Sequence, residues 1–135
     1  MAITQEFLTS MKDLVETASS ALEAGRQVFV YFSASTNLET GDTWCSVCRQ
    51  SEKVVEKCLK KTETERPLLF LLIEVGDEQE WNDVNNEFRN HEVFQVKAVP
   101  TLVLLEKTAN SLGVLRRLEG EQCHDEAAVG PFFAG

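Results

Sequence analysis

Two cysteines separated by two residues, Cys45 and Cys48, are the side chains of this sequence best suited to chemistry. A helical pattern follows them, so the Cys45 sulfur is expected at a helix start, where unpaired N–H groups and the helix dipole favour a thiolate. A thiolate attacks disulfides, whereas a thiol does not. Cys48 lies one turn further along the same face, close enough to form a disulfide with Cys45. The pattern predicts a redox pair with Cys45 as nucleophile and Cys48 as resolving thiol.

The same spacing occurs in zinc sites, which usually take two more ligands. No second pair of this kind exists, since the remaining candidates are Cys58, Cys123, His91 and His124. We therefore predict no metal site, although half a zinc site and a structural pair of cysteines are the alternatives to a redox pair.

Cys58 is predicted to be a core residue. It falls on the apolar stripe of the helix that follows the redox pair, where a free cysteine packs as a small apolar residue. Cys123 precedes His124, which would allow a second reactive pair. Because neighbours in a helix point apart, we do not expect Cys123 and His124 to form that pair.

The composition indicates one domain, residues 1–135, since a chain of 135 residues with 43% apolar residues suits a single core. There is no run of about eighteen apolar residues, and the first twelve residues lack the order of a signal peptide. Four cysteines without secretory features favour a cytoplasmic protein with reduced thiols. A net charge of −9 argues against nucleic acid and anionic membrane as partners.

The elements that must position the cysteines follow from apolar periodicity. Helices are predicted at residues 4–24, 44–61, 87–90 and 121–129. Strands are predicted at residues 27–33, 68–75, 102–106 and 113–118, the last two as an antiparallel hairpin with a turn at residues 109–111. Residues 35–43 are predicted to be a loop, and Trp81 and Phe88 to anchor an irregular acidic segment. Gly130 and Pro131 should break the last helix before Phe132 and Phe133.

This order of elements predicts an α/β fold with a mixed central β-sheet, parallel in the middle and antiparallel at one edge, flanked by helices on both faces. With the cysteine pair after the first strong strand and Val99-Pro100-Thr101 further along, the sequence resembles the thioredoxin fold.

Within that fold the sequence resembles the thioredoxin domain-containing protein 17 family, also called the thioredoxin-related proteins of 14 kDa. The matching stretches are spread over most of the chain: Val30-Tyr31-Phe32-Ser33-Ala34-Ser35, Trp44-Cys45-x-x-Cys48, Val75-Gly76 with Trp81, Asp83, Asn85-Asn86 and Phe88-Arg89, Ala98-Val99-Pro100-Thr101-Leu102, and Glu121-x-Cys123.

The resemblance implies a monomeric cytoplasmic disulfide reductase that acts on small or selected disulfides such as cystine. It implies no bound cofactor, with electrons supplied by NADPH through thioredoxin reductase. Dynein light chain is a further partner that the family suggests. The competing hypothesis is a thioredoxin-like binding module, an adaptor without turnover.

The resemblance also implies a substrate-binding surface formed by Trp44, Val99 and Pro100. Pro100 corresponds to the cis-proline that thioredoxin folds place against the cysteine pair, which would leave the Val99 backbone free to pair with an extended substrate. From the residues alone, a plain core tryptophan is the alternative for Trp44, and an ordinary trans proline that opens a strand is the commoner case for Pro100. Arg49, four residues after Cys45, could lie over the same face and favour the thiolate, or be a solvated arginine.

Three features depart from the family or fold pattern. Ser46-Val47 stands between the cysteines where the family usually has Pro-Asp, which bears on redox potential and substrate preference. Tyr31 occupies the position of thioredoxin's buried aspartate, so a thioredoxin-type proton relay is not expected. The N-terminal strand should be almost absent, because only Ala2 and Ile3 precede the first predicted helix.

Overall fold

A computed structural model describes residues 3–109 and 111–134. Its strands are β1 (Ile3–Leu8), β2 (Gln27–Ser33), β3 (Leu68–Glu74), β4 (Thr101–Lys107) and β5 (Leu112–Glu119). Its helices are α1 (Met11–Glu23), α2 (Ser46–Lys61), α3 (Glu78–Asn82), α4 (Glu87–Asn90) and α5 (Glu126–Ala134), with a 3₁₀ turn at Gly120–His124 before α5.

The five strands form one mixed sheet in the order β1-β3-β2-β4-β5. Strands β1, β3 and β2 run parallel, whereas β4 and β5 pair antiparallel with their neighbours. The predicted parallel centre, antiparallel edge and hairpin are therefore confirmed. The predicted turn at residues 109–111 includes Asn110, which lies outside the described residues.

Strand β2 occupies the middle of the sheet and is buried from Val28 to Ser33. Its alternate side chains enter two cores, one with α1 and one with α2 and α5. A strand covered on both faces needs apolar residues at nearly every position. This is why its bounds could be predicted from the sequence.

The prediction of a helix from residue 4, with almost no N-terminal strand, is wrong. Ile3–Leu8 is an edge strand that pairs with β3, from Ile3 opposite Leu68 to Leu8 opposite Ile73. Helix α1 begins only at Met11, because Ser10 caps it by accepting a hydrogen bond from the Asp13 N–H at 3.2 Å. Most of β1 is exposed, so its pairing depends on the backbone of β3 and leaves little apolar signal in the sequence. Ala2 lies outside the described residues.

The prediction for the C-terminal segment is also wrong in its bounds. Gly120–His124 is a 3₁₀ turn, and α5 runs from Glu126 through Pro131 to Ala134. The Phe132 and Phe133 rings pack edge-on against Phe29, with centroids 5.9 and 5.0 Å away. We infer that this aromatic packing offsets the backbone hydrogen bond that a proline inside a helix removes.

Trp81 and Phe88 are buried, as predicted, and attach α3 and α4 to the α1 side of the sheet. Within residues 3–109 and 111–134, no helix is long and apolar enough to span a bilayer.

Candidate functional site

Cys45 is the residue that caps the N-terminus of α2. Its sulfur accepts a hydrogen bond from the Cys48 N–H at 3.2 Å, and its thiol faces the Val99 carbonyl at 3.7 Å. The sulfur therefore sits where the unpaired N–H groups and positive dipole end of a 16-residue helix are found. Cys45 is 8% exposed, so its position allows limited access from solvent.

Cys48 lies one turn inside α2 and is 0% exposed. Burial, and after it the neighbouring Cys45, raise the pKa of its thiol to about 12, against the opposing effect of the Ala34 backbone and the Ser33 hydroxyl. Both cysteines are free thiols. The pair thus combines a sulfur near the surface with one held protonated in the interior.

The peptide bond between Val99 and Pro100 is cis, which confirms that part of the prediction. Val99 is half-buried and packs in the same small cluster as the two cysteines and Ala34. Its carbonyl faces Cys45 across the site. The substrate-binding role of Val99 and Pro100 stays a prediction.

Trp44 is half-buried and anchored, with its indole Nε1–H donating to the Gly76 carbonyl at 3.2 Å. Its ring packs against both the cysteine cluster and the larger core that contains α1. Trp44 therefore lies beside the cysteines, as expected for a residue that shields them, and also packs on the larger core, as expected for a core tryptophan. Contact with a substrate stays a prediction.

The loop of residues 35–43 precedes the cysteines and is held in place by its own contacts. Thr36 and Thr43 form an antiparallel bridge, and the Asn37 N–H donates to the Asp42 carbonyl at 2.8 Å. The loop begins with the Ser35 N–H donating to the Gly76 carbonyl at 3.0 Å. These backbone contacts hold the loop at its start and across its turn.

Of the two interpretations of Arg49, the structure agrees with an exposed surface arginine. Its guanidinium pairs with Asp42 at 2.7 Å and donates to the Thr43 carbonyl at 3.1 Å. A hydrogen bond from the Thr43 N–H lowers the pKa of Asp42, and Arg49 lowers it as well. The loop carboxylate attracts the arginine because it can form both a charged pair and a hydrogen bond. Arg49 therefore attaches the loop to α2.

Cys58 is buried, as predicted, and Cys123 is buried as well. Burial raises the pKa of each thiol, for Cys123 to about 12. The Cys123 thiol donates to the Leu118 carbonyl at 3.3 Å, so a reactive pair with His124 is not supported. Among residues 3–109 and 111–134, no group of three or more His, Cys, Asp or Glu side chains is arranged to hold a metal ion.

Two polar contacts around Cys48 were not predicted from the sequence. The Ser33 hydroxyl donates to Glu52 Oε1 at 3.2 Å, and the Tyr31 hydroxyl donates to Ser51 Oγ at 2.7 Å. Helical spacing could have indicated Glu52, which lies four residues after Cys48 on the same face of α2. No sequence pattern relates α2 to the end of β2, so the contact between Ser33 and Glu52 could not be predicted from the sequence.

The chain is similar to known proteins over most of its length. The family model described as "Thioredoxin domain-containing protein 17-like, thioredoxin domain" matches residues 5–135. Thioredoxin domain-containing protein 17 of Mus musculus is 32% identical over 110 residues, covering 82% of this chain and 80% of the relative. Thioredoxin-like protein Clot of Arabidopsis thaliana is 29% identical over 126 residues, covering 93% of this chain and 90% of the relative.

A solved thioredoxin from Trichomonas vaginalis superposes with a TM-score of 0.54 at 19% identity and covers 96% of both chains, which supports the fold. Together the matches support a thiol–disulfide oxidoreductase type of function. Because the family model covers nearly the whole chain, the protein belongs to the thioredoxin domain-containing protein 17-like family.

Proposed function

We propose that this protein is a disulfide reductase in which Cys45 is the nucleophile and Cys48 the resolving thiol. The observation that carries the proposal is the asymmetry of the two sulfurs. Cys45 accepts a backbone N–H at the start of α2, whereas Cys48 is fully buried with a pKa raised by that burial to about 12. A thiol pair in which one sulfur is poised to attack and the other is shielded suits a two-step exchange.

In the first step the Cys45 thiolate attacks one sulfur of the substrate disulfide and releases the other half as a thiolate. In the second step Cys48 loses its proton and attacks Cys45, which releases the second substrate thiol and leaves a Cys45–Cys48 disulfide. The substrate gains two electrons and the cysteine pair loses two. Thioredoxin reductase, using NADPH, would return the pair to the dithiol form.

We infer that small or selected disulfides such as cystine are the substrates, in a cytoplasmic setting. Limited exposure of Cys45 and the anchored loop of residues 35–43 support access by compact molecules. Trp44, Val99 and Pro100 would line the approach to Cys45, with the Val99 backbone available to an extended substrate.

A coupled assay tests the function. The protein should reduce cystine or a chromogenic disulfide when supplied with NADPH and a matched thioredoxin reductase, and Cys45→Ser should abolish that activity. Absence of turnover by the folded wild-type protein with several reductases would favour the adaptor hypothesis.

Trapping tests the two assigned roles. Cys48→Ser should accumulate a mixed disulfide between Cys45 and the substrate, because the nucleophile is kept and the resolving thiol is gone. Cys45→Ser should trap none, and intact-mass spectrometry distinguishes the two variants. Equal trapping by both would contradict the assignment.

A further inference from the structure

The proton of the Cys48 thiol needs a route out of the interior before Cys48 can attack. Cys48 is 0% exposed, so water does not reach its sulfur directly. Resolution of a mixed disulfide nevertheless requires the thiolate form of Cys48. If the proposed function holds, a polar group beside Cys48 must accept this proton.

Three polar groups of the described residues act on the pKa of the Cys48 thiol: Cys45 raises it, and the Ala34 backbone and the Ser33 hydroxyl lower it. Ser33 directly precedes Ala34, which packs against Cys48. In the mixed disulfide Cys45 carries the substrate, and an amide N–H is not a base. A hydroxyl can accept one proton while it donates another. Ser33 is therefore the group through which the Cys48 proton can move.

The Tyr31 hydroxyl does not offer a second route. It donates to Ser51 Oγ at 2.7 Å, and Ser51 donates to the Cys123 carbonyl at 2.8 Å. That chain ends on a peptide carbonyl, which does not take up a proton near neutral pH. Burial raises the pKa of Tyr31, so its phenolate is not available as a base either.

Ser33 leads instead to a carboxylate. Its hydroxyl, itself buried, donates to Glu52 Oε1 at 3.2 Å, and Glu52 is an exposed residue of α2. Glu52 also lines a cavity of about 320 Å³ between α2 and the sheet. A proton that reaches Glu52 can therefore pass to solvent.

The charged and titratable groups that face Glu52 come from three elements. Glu56 and Lys60 of α2, Glu74 of β3 and Tyr31 of β2 line the same cavity. Partial burial raises the pKa of Glu52, the Ser33 hydroxyl lowers it, and Glu74 raises it. A carboxylate with a raised pKa is a better proton acceptor at neutral pH.

We propose that Ser33 and Glu52 form a proton relay that activates Cys48 for the resolving step. The Cys48 thiol gives its proton to Ser33 Oγ while the Ser33 hydroxyl proton passes to Glu52 Oε1. The resulting Cys48 thiolate forms a bond to the Cys45 sulfur and breaks the bond between Cys45 and the substrate sulfur. Glu52 later releases the proton to water, and the departing thiolate takes one up from water.

Rapid mixing with a limiting amount of dithiobis-nitrobenzoate separates the two steps. Attack by Cys45 releases one equivalent of the coloured thiolate, and attack by Cys48 releases the second. Glu52→Gln should leave the first phase unchanged and slow the second roughly a hundredfold at neutral pH, in line with the usual contribution of general base catalysis. Glu56→Gln is the matched control, since it removes the same charge from the same helix and cavity.

Whether the second phase becomes slower or faster in Glu52→Gln distinguishes a proton relay from the influence of a nearby charge alone. If Glu52 acted only as a nearby negative charge, its removal would favour the Cys48 thiolate and accelerate the second phase. Ser33→Ala should also slow the second phase, and adding Glu52→Gln to it should cause little further loss, because the two residues act in one path.

The pH dependence of the second-phase rate distinguishes a proton relay from a merely structural role of Glu52. The wild-type second phase should fall as Glu52 becomes protonated at low pH and level off above that range. In Glu52→Gln it should keep rising with pH as Cys48 itself ionises.

An unchanged or faster second phase in Glu52→Gln would overturn the relay, and so would an equal loss in both phases. If the wild-type protein released only one equivalent, the reductase proposal itself would fail.

Discussion

At the scale of single residues, identical thiols are set apart by their surroundings. Cys45 accepts a helix N–H near the surface, whereas Cys48, Cys58 and Cys123 are buried and have raised pKa values. Burial disfavours the thiolate because it removes the charge from water, and a helix N-terminus favours it because the N–H groups point at the sulfur. We therefore expect the position of each cysteine to decide its reactivity.

We expect limiting iodoacetamide to label Cys45 before the other three cysteines in the reduced protein. Its sulfur is the one placed at a helix N-terminus, and the other three thiolates are disfavoured by burial. Peptide mapping by mass spectrometry after short exposures measures the order. Cys45→Ser, the control, should lose the fast labelling, and early label on Cys48 or Cys58 would contradict this prediction.

At the scale of elements, the loop of residues 35–43 connects β2 to the cysteine pair and packs beside it. The bridge between Thr36 and Thr43 brings the two arms of the loop together, and the pair of Asp42 with Arg49 attaches it to α2. The Thr43 hydroxyl also accepts a hydrogen bond from the Cys45 N–H at 3.3 Å. These contacts hold the loop beside Cys45. We propose that a loop held in this place restricts large partners.

Shortening this loop should change substrate preference. Because Thr36 and Thr43 already pair as in a hairpin, residues 37–42 can be replaced by a two-residue Asn-Gly turn. We expect the activity on insulin to rise several-fold relative to the activity on cystine, since a protein substrate gains room beside Cys45. Asp42→Asn keeps the loop length, and its amide oxygen can still accept the hydrogen bonds from Thr43 and Arg49, so this control should leave the ratio nearly unchanged. An unaltered ratio in a folded, shortened variant would show that the loop does not select the substrate.

At the scale of the whole molecule, two cores hold the sheet between helices, and the thiols in them couple stability to pH. The pKa of Cys48 and that of Cys123 are each raised by burial from 9.0 to about 12. Above pH 9 the unfolded chain therefore binds fewer protons than the folded one, which makes the free energy of unfolding fall as pH rises. The stabilising contribution is complete below pH 9 and is lost towards pH 12.

We expect urea unfolding of the reduced protein to show this loss. Each buried thiol should contribute roughly 1.4 kcal/mol of destabilisation for each pH unit between those limits. Cys123→Ala, with one such thiol removed, should show a shallower decline than the wild-type protein when both are measured without oxygen. Parallel declines would show that Cys123 does not stay protonated in the folded state.

The sequence by itself determined the elements whose signal is local. The strand Gln27–Ser33, the helix that begins at the cysteine pair and the antiparallel hairpin could be predicted because each buries apolar residues at the period of its own structure. The pair Cys45 and Cys48 could be identified as the candidate site because its chemistry depends on spacing within one helical turn.

The tertiary structure alone decided the features that depend on partners distant in the chain. Strand β1 exists because the edge of β3 offers backbone hydrogen bonds, and α5 continues through Pro131 where Phe132 and Phe133 pack on β2. In the same way, Ser33 contacts Glu52 only because β2 and α2 pack together. Contacts between separate elements leave no periodic pattern in the sequence of either element, so these features could be recognised only in the tertiary structure.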